Sequence, residues 1–177
     1  MGHHPDPKGL GLEKLRESLK QAAACGLPHA LEVMGERWSF LILRAALNGV
    51  VHFEEFLSEL GIARNILSNR LANLVENGIL IRDPCAHDRR KVEYRLTEKG
   101  TDLLPALLCL RQWGEKYTTN VASNPVLVDR RDCRPIQRLE IRAHDGRVLK
   151  WADLQWVDAA QVGRPESCCE PAGGGEL

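Results

Sequence analysis

Gly61-Ile-Ala-Arg-Asn-Ile-Leu-Ser-Asn-Arg-Leu-Ala-Asn-Leu-Val-Glu-Asn-Gly-Ile-Leu-Ile-Arg-Asp-Pro84, then a polar loop, the triplet Arg89-Arg90-Lys91 and the pentad Val92-Glu-Tyr-Arg-Leu96, has the order of a recognition helix followed by a basic hairpin. Within it Leu67, Leu71, Leu74 and Val75 are spaced by three and four, so one helical face packs inward. Arg64, Asn65, Ser68, Asn69 and Asn73 then point outward, and these are side chains that bond base edges and phosphates. Such an amphipathic helix is by itself common; the hairpin beside it is what gives the pattern direction. Asn77-Gly78 closes the helix through a left-handed residue, and residues 79–83 with 92–96 form two strands joined by a polar loop, a wing.

Working outward toward the N-terminus, Phe53, Phe56, Leu57 and Leu60 mark a short helix that Gly61 ends. Arg37-Trp-Ser-Phe-Leu-Ile-Leu-Arg-Ala-Ala-Leu-Asn-Gly49 is apolar nearly all round and reads as the buried central helix, with Asn48-Gly49 as its stop. Pro28 suits the first turn of a helix over residues 29–34 that Gly35 terminates. Leu12, Leu15, Leu19, Ala22 and Ala23 recur at helical spacing and predict a first amphipathic helix.

Toward the C-terminus, Thr97 is expected to cap one long helix carrying Leu103, Leu104, Leu107, Leu108, Leu110, Trp113 and Tyr117. That apolar circumference exceeds what one small core covers, so a second surface should meet it. Pro105 falls inside this helix and should kink it. Beyond Asn124-Pro125, Val126 and Val128, then Ile136, Leu139 and Ile141, with His144-Asp145-Gly146 as a turn before Val148-Leu149, suggest a small β-appendage. The expected fold is therefore mainly α with a small β wing, a winged helix-turn-helix, plus a C-terminal β-rich appendage. Its parts are a disordered stretch at residues 1–11, a DNA-binding and dimerisation domain at 12–120, the appendage at 125–160 and a flexible tail at 161–177.

The chain has 177 residues with no net charge, so a nucleic-acid partner can only be argued from uneven distribution. Residues 61–96 hold seven basic against four acidic side chains, a modest local excess that a solvated surface would also explain. Between residues 126 and 150, Arg130, Arg131, Arg134, Arg138, Arg142, Arg147 and Lys150 outnumber Asp129, Asp132, Glu140 and Asp145. The sequence contains neither a run of about eighteen apolar residues nor a signal-peptide core, which implies a cytoplasmic protein without membrane association. Six scattered cysteines without a Cys-x-x-Cys pair fit reduced thiols rather than a disulfide framework or zinc site. Cys109 reads as buried filler; Cys85 and Cys168-Cys169 read as exposed. His52-Phe-Glu-Glu lacks a second histidine at ligand spacing, so no metal is expected there. Phosphate-binding glycine loops and catalytic signatures are missing, so neither an enzyme nor a cofactor is expected.

The segment Cys25-Gly-Leu-Pro-His-Ala-Leu-Glu-Val-Met-Gly-Glu-Arg-Trp-Ser-Phe-Leu-Ile-Leu-Arg44 resembles the entry signature of the HxlR-type branch of the MarR-like winged-helix transcription regulators of bacteria. Phe53-Glu-Glu-Phe56, Leu67-Ser-Asn-Arg-Leu71, Gly78-Ile-Leu80 and Val92-Glu-Tyr-Arg-Leu-Thr-Glu-Lys-Gly100 continue the likeness across residues 25–117. The resemblance implies a homodimer on palindromic double-stranded DNA, with first and last helices at the interface. On this chain those positions are Leu12, Leu15, Leu19, Leu104, Leu108 and Tyr117, and the DNA contacts fall on Arg64, Asn65, Ser68, Asn69, Arg70, Asn73, Arg89, Arg90 and Lys91. It also makes Cys25 a candidate redox or electrophile sensor, against the plainer reading of a small core residue before a Gly-Leu-Pro turn. A small-molecule effector between Trp38 and Trp113 is the competing signal input. Two departures stand out: Ala63 occupies a position where the family often has Ser or Thr, and the wing loop is longer and more charged than expected. The alternative function is a non-catalytic winged-helix module that binds another protein, its wing being only a solvated face.

Overall fold

The computed structural model describes residues 25–85, 91–119, 124–154, 156 and 162–163. The expected helix around Leu12, Leu15 and Leu19, the wing-tip residues Arg89 and Arg90, and the Cys168-Cys169 pair lie outside the described residues. Helix α1 runs Gly26–Met34, α2 Arg37–Leu47, α3 Phe53–Leu60 and α4 Arg64–Glu76. Strand β1 (Leu80–Pro84) and β2 (Val92–Leu96) follow, then the short α5 (Glu98–Thr101) and α6 (Leu104–Gly114). The chain divides into two compact units, Leu27–Leu139 and a second that includes Glu140 onward.

Burial follows the apolar spacing. Ile42 and Leu43 of α2, Phe56 of α3 and Leu67, Leu71 and Leu74 of α4 are fully or almost fully buried in one cluster with Met34, Ile62, Ile79 and Leu80. A core helix such as α2 is expected to be wrapped by its neighbours, and Trp38, Phe40, Ala46 and Leu47 pack on the cluster from its rim. Gly61 ends α3 at φ 57°, a left-handed conformation that costs a glycine little and lets the chain turn sharply into α4.

The wing is an antiparallel pair in which Leu80 faces Leu96, Arg82 faces Tyr94 and Pro84 faces Val92. A third segment joins it: the Tyr94 N–H donates to the Val51 carbonyl at 2.8 Å, and His52 bridges Glu93 antiparallel. Two residues of strand are too short to leave an alternation in the sequence. Gly100 of α5 sits where an added Cβ would lie 2.3 Å from the Ile79 carbonyl oxygen, so the turn after the wing requires glycine to approach β1 this closely.

Several expectations need correction. The single long helix from Thr97 is two helices, because the chain breaks at Asp102 and Leu103 and restarts at Leu104. Pro105 therefore stands in a first turn, where its missing N–H deprives no carbonyl of a partner, and it kinks nothing. Cys109 is exposed rather than buried; it stands about 100° around α6 from Leu108, which faces inward. Cys85 is half-buried instead of exposed, because its N–H extends the ladder by donating to the Lys91 carbonyl at 2.8 Å.

The stretch after residue 124 bends in two tight turns. Val128 bridges Pro135 and Arg142 bridges Val148, so the expected β character consists of isolated bridges among the described residues. Both turns use an Asp-x-Arg arrangement: Asp132 accepts the Arg134 N–H at 3.1 Å, and Asp145 accepts the Arg147 N–H at 3.1 Å. The residue between them adopts positive φ in each, Cys133 at 56° and Gly146 at 86°. In the first unit, Val126, Leu127 and Ile136 line a shallow cavity with Leu108 of α6, and the Leu139 N–H donates to the Gln112 side chain at 3.0 Å. The second surface that α6 demanded is partly this segment.

Candidate nucleic-acid interface

Helix α4 is anchored by Leu67, Leu71 and Leu74 and so presents its opposite face outward. Arg64, Asn65, Ser68 and Asn69 are exposed there, the first turn and a half of the helix. Ala63 is its N-cap with φ −64° and ψ 137° and supplies no side-chain hydrogen bond. The first N–H groups of α4 thus lack the usual hydroxyl acceptor, and the positive end of the helix faces outward beside the polar row.

Arg70 and Asn73 stand apart from this row. Arg70 is paired with Glu36 in the turn between α1 and α2, its side chain 28% exposed and its Nε buried without a partner among the described residues. Asn73 is half-buried and its backbone carbonyl accepts the Asn77 amide at 2.9 Å, which fastens the end of the helix. Spacing sets Asn73 outward and the resemblance sets Arg70 among the DNA contacts; nothing in the sequence signals that Glu36 of the α1–α2 turn comes back to Arg70.

Arg64 is held in place by the preceding helix. Its Nη1 and Nη2 donate to the two carboxylate oxygens of Glu54 at 2.8 Å and 2.9 Å, and its guanidinium lies 5.3 Å from the centre of the Phe53 ring. The hydrogen bonds from Arg64 draw the Glu54 carboxyl below its usual range, and Glu54 raises the guanidinium in turn. Glu54 lies within the Phe53-Glu-Glu-Phe56 string, but its pairing with Arg64 becomes visible only when α3 and α4 are packed together.

At the wing, Lys91 is exposed and directly follows Arg89 and Arg90 in the sequence. Glu93 is buried at the base: it pairs with Arg95, whose hydrogen bond is the largest cause of its lowered pKa, and the Cys85 thiol adds to the same effect. His52 Nδ1 lies 3.3 Å from the Val92 carbonyl. These contacts weld the Val51–His52 segment to β2, so the histidine has a structural place. Among the described residues no cluster of three or more His, Cys, Asp or Glu side chains is arranged to hold a metal ion. None of the described helices is long and apolar enough to cross a membrane.

Of the residues expected at an interface between copies, Leu104 is half-buried and Leu108 is 9% exposed, whereas Tyr117 is more than half exposed, as are the neighbouring Leu110 and Trp113. The rings of Trp113 and Tyr117 meet tilted by 48° at 5.7 Å between centroids, and Lys116 covers the Tyr117 ring. Trp38 sits in different surroundings, on the rim of the core with Arg37 over its ring at 4.8 Å. Cys25 is exposed immediately before α1.

The HxlR-like helix-turn-helix family model matches residues 33–122, just over half of the chain. An uncharacterized HTH-type transcriptional regulator of Mycobacterium tuberculosis strain H37Rv, Rv3095, is 45% identical over 104 residues, which are 59% of this chain and 66% of that protein. The chain thus spans just under two thirds of the length of this relative. An HTH-type transcriptional regulator of Bacillus subtilis, YdeP, is 32% identical over 55% of this chain and 77% of its own length. Among solved structures, PA1607, described as a candidate transcription factor, superposes with a TM-score of 0.71 at 43% identity over 79% of this chain and 98% of that one. The transcription-factor candidate PA1374 of Pseudomonas aeruginosa gives 0.54 at 33% identity over 81% of this chain and 98% of its own. Coverage of 79% exceeds residues 33–122, so the likeness to PA1607 extends past the family match.

Proposed function

Because the chain belongs to the HxlR-like helix-turn-helix family, we propose that it is a homodimeric transcription regulator that reads a palindromic operator with α4 in the major groove. The observation that carries this reading is the exposed row Arg64, Asn65, Ser68 and Asn69 on a helix whose other side is locked by three buried leucines. A rigid helix presenting amides and a guanidinium from its N-terminal turns can bond base edges. Lys91, with Arg89 and Arg90, then lies on phosphates or in the adjoining minor groove; these cations set affinity rather than sequence.

The exposed side of α6, Leu110 and Trp113, with Tyr117 in the turn that follows it, supports a second copy as the partner that covers it. Signal input is assigned to Cys25, an exposed thiol immediately before α1 that an oxidant can reach. Oxidation there would alter the spacing of the two recognition helices and hence the fit to the operator.

Gel-shift titration with DNA from upstream of the protein's own gene tests the reading. Replacing Arg89, Arg90 and Lys91 by alanine should weaken binding to every duplex alike and reduce the salt slope by about one unit for each phosphate left without its cation. An unchanged slope would remove the wing from the interface.

A further inference from the structure

We infer that Glu54 is a specificity-determining residue, holding Arg64 so that it reads a guanine instead of roaming over phosphates; this rests on the DNA-binding reading above. Arg64 is the first residue of α4, the end of a recognition helix that meets base edges. Its guanidinium has five N–H donors in a fixed plane. The Glu54 carboxylate takes the end-on fork, one hydrogen bond from each η nitrogen, at 2.8 Å and 2.9 Å. What remains is the side edge, Nε–H with the neighbouring η N–H, a second parallel pair of donors.

That edge matches the paired acceptors O6 and N7 of guanine. The Phe53 ring, 5.3 Å from the guanidinium carbon, restrains the plane from its face while the carboxylate restrains it from its end. Charge works in the same direction. A lone arginine at this exposed position, 62% accessible, would be attracted to any phosphate within reach, but the paired unit carries almost no net charge and gains little from a phosphate. Hydrogen-bond geometry toward a base edge is what it still offers. Glu54 is thereby a positioning residue and Arg64 the reading one.

The test uses the full chain and its glutamine variant E54Q, which changes an exposed side chain and should leave the helical circular dichroism intact. Each protein selects from a pool of randomised duplexes, and its affinity for the wild-type consensus and for a scrambled duplex is measured across salt concentrations. Wild type should enrich a guanine at one position in each half-site. E54Q should relax that position, bind scrambled duplex about three- to tenfold more tightly and steepen its salt slope by about one unit, as expected when one more phosphate is neutralised. Charge removal alone is controlled by E59Q, on the same helix and also exposed, which should leave base preference unchanged. In an Arg64→Ala background E54Q should no longer affect base preference. Retention of the guanine with equal stringency in E54Q would overturn the role of Glu54 while leaving DNA binding in place. Failure of the wild-type chain to enrich any duplex would overturn both.

Discussion

Leu108 and Leu110 are two residues apart on α6, and their substitution should produce opposite phenotypes. Leu108 is 9% exposed and faces Val126, Leu127, Pro135 and Ile136 of its own chain; Leu110 is 53% exposed and faces outward. Truncating a buried leucine to alanine costs about 2–5 kcal/mol, the spread reflecting the cavity left behind. A shallow cavity of about 200 Å³ already adjoins Leu108, and water can enter the vacated volume. The cost of Leu108→Ala should therefore fall near the low end, about 2 kcal/mol. Leu110→Glu should leave the fold of a single chain within about 0.5 kcal/mol. In a dimer sealed by Leu110, Trp113 and Tyr117 it would bury an unpaired carboxylate, and a penalty of about 3 kcal/mol weakens association more than a hundredfold. Urea unfolding measured at several protein concentrations separates the two, because the stability of a dimer depends on concentration and that of a local packing defect does not. Sedimentation equilibrium supplies the masses. A fully dimeric Leu110→Glu variant refutes the outward face of α6 as the interface, and an unchanged urea midpoint for Leu108→Ala refutes the packing of residues 126–136 on that helix.

Further perturbations address the core, the wing and the sensor. The Ser39 hydroxyl is buried without a hydrogen-bond partner among the described residues, so Ser39→Ala should stabilise the protein by about 1 kcal/mol; a lower urea midpoint would show that the hydroxyl is bonded after all. Glu93 has a carboxyl held below its ordinary value of 4.5, chiefly by Arg95, so its contribution is fully present above that pH and is lost as pH falls through the lower folded value. Acid unfolding of Glu93→Gln should accordingly show a flatter stability curve below about pH 4.5 than wild type, and parallel curves would contradict the assignment. Cys25→Ser should bind DNA normally but no longer respond to diamide; mass spectrometry in which Cys85, Cys109 or Cys133 takes the modification while Cys25 stays free would reject Cys25 as the sensor.

Periodicity made the helical core legible because each helix buries one continuous stripe. The spacing of Leu67, Leu71 and Leu74 marks α4 and the outward side of Arg64, Asn65, Ser68 and Asn69, though Asn73 turns out half-buried, while Gly61 and Gly78, at φ 57° and 67°, are the turns their positions suggested. The break in the last helical region was harder to see. Thr97 announces a helix and Pro105 interrupts the pattern, yet whether proline kinks a helix or opens a new one depends on the chain around Asp102 and Leu103. Tertiary pairing was not legible at all. The resemblance sets Arg70 among the DNA contacts, but Glu36 draws it down onto the α1–α2 turn. Glu54 is ten residues from Arg64 and acquires its meaning only from the packing of α3 on α4. Leu108 and Leu110 are equally apolar, and the segment that distinguishes them begins fifteen or more residues away.

The central claim, that α4 reads a two-fold operator, is tested most directly by a footprint of the full chain on duplex DNA from its own upstream region. A dimer docked through α4 should protect two patches about one helical turn apart, related by a palindrome, and Asn69→Ala should shift the sequence preference inside the patches without changing their spacing. Protection that is absent, or that covers one uninterrupted stretch indifferent to sequence and to Asn69, would contradict the account.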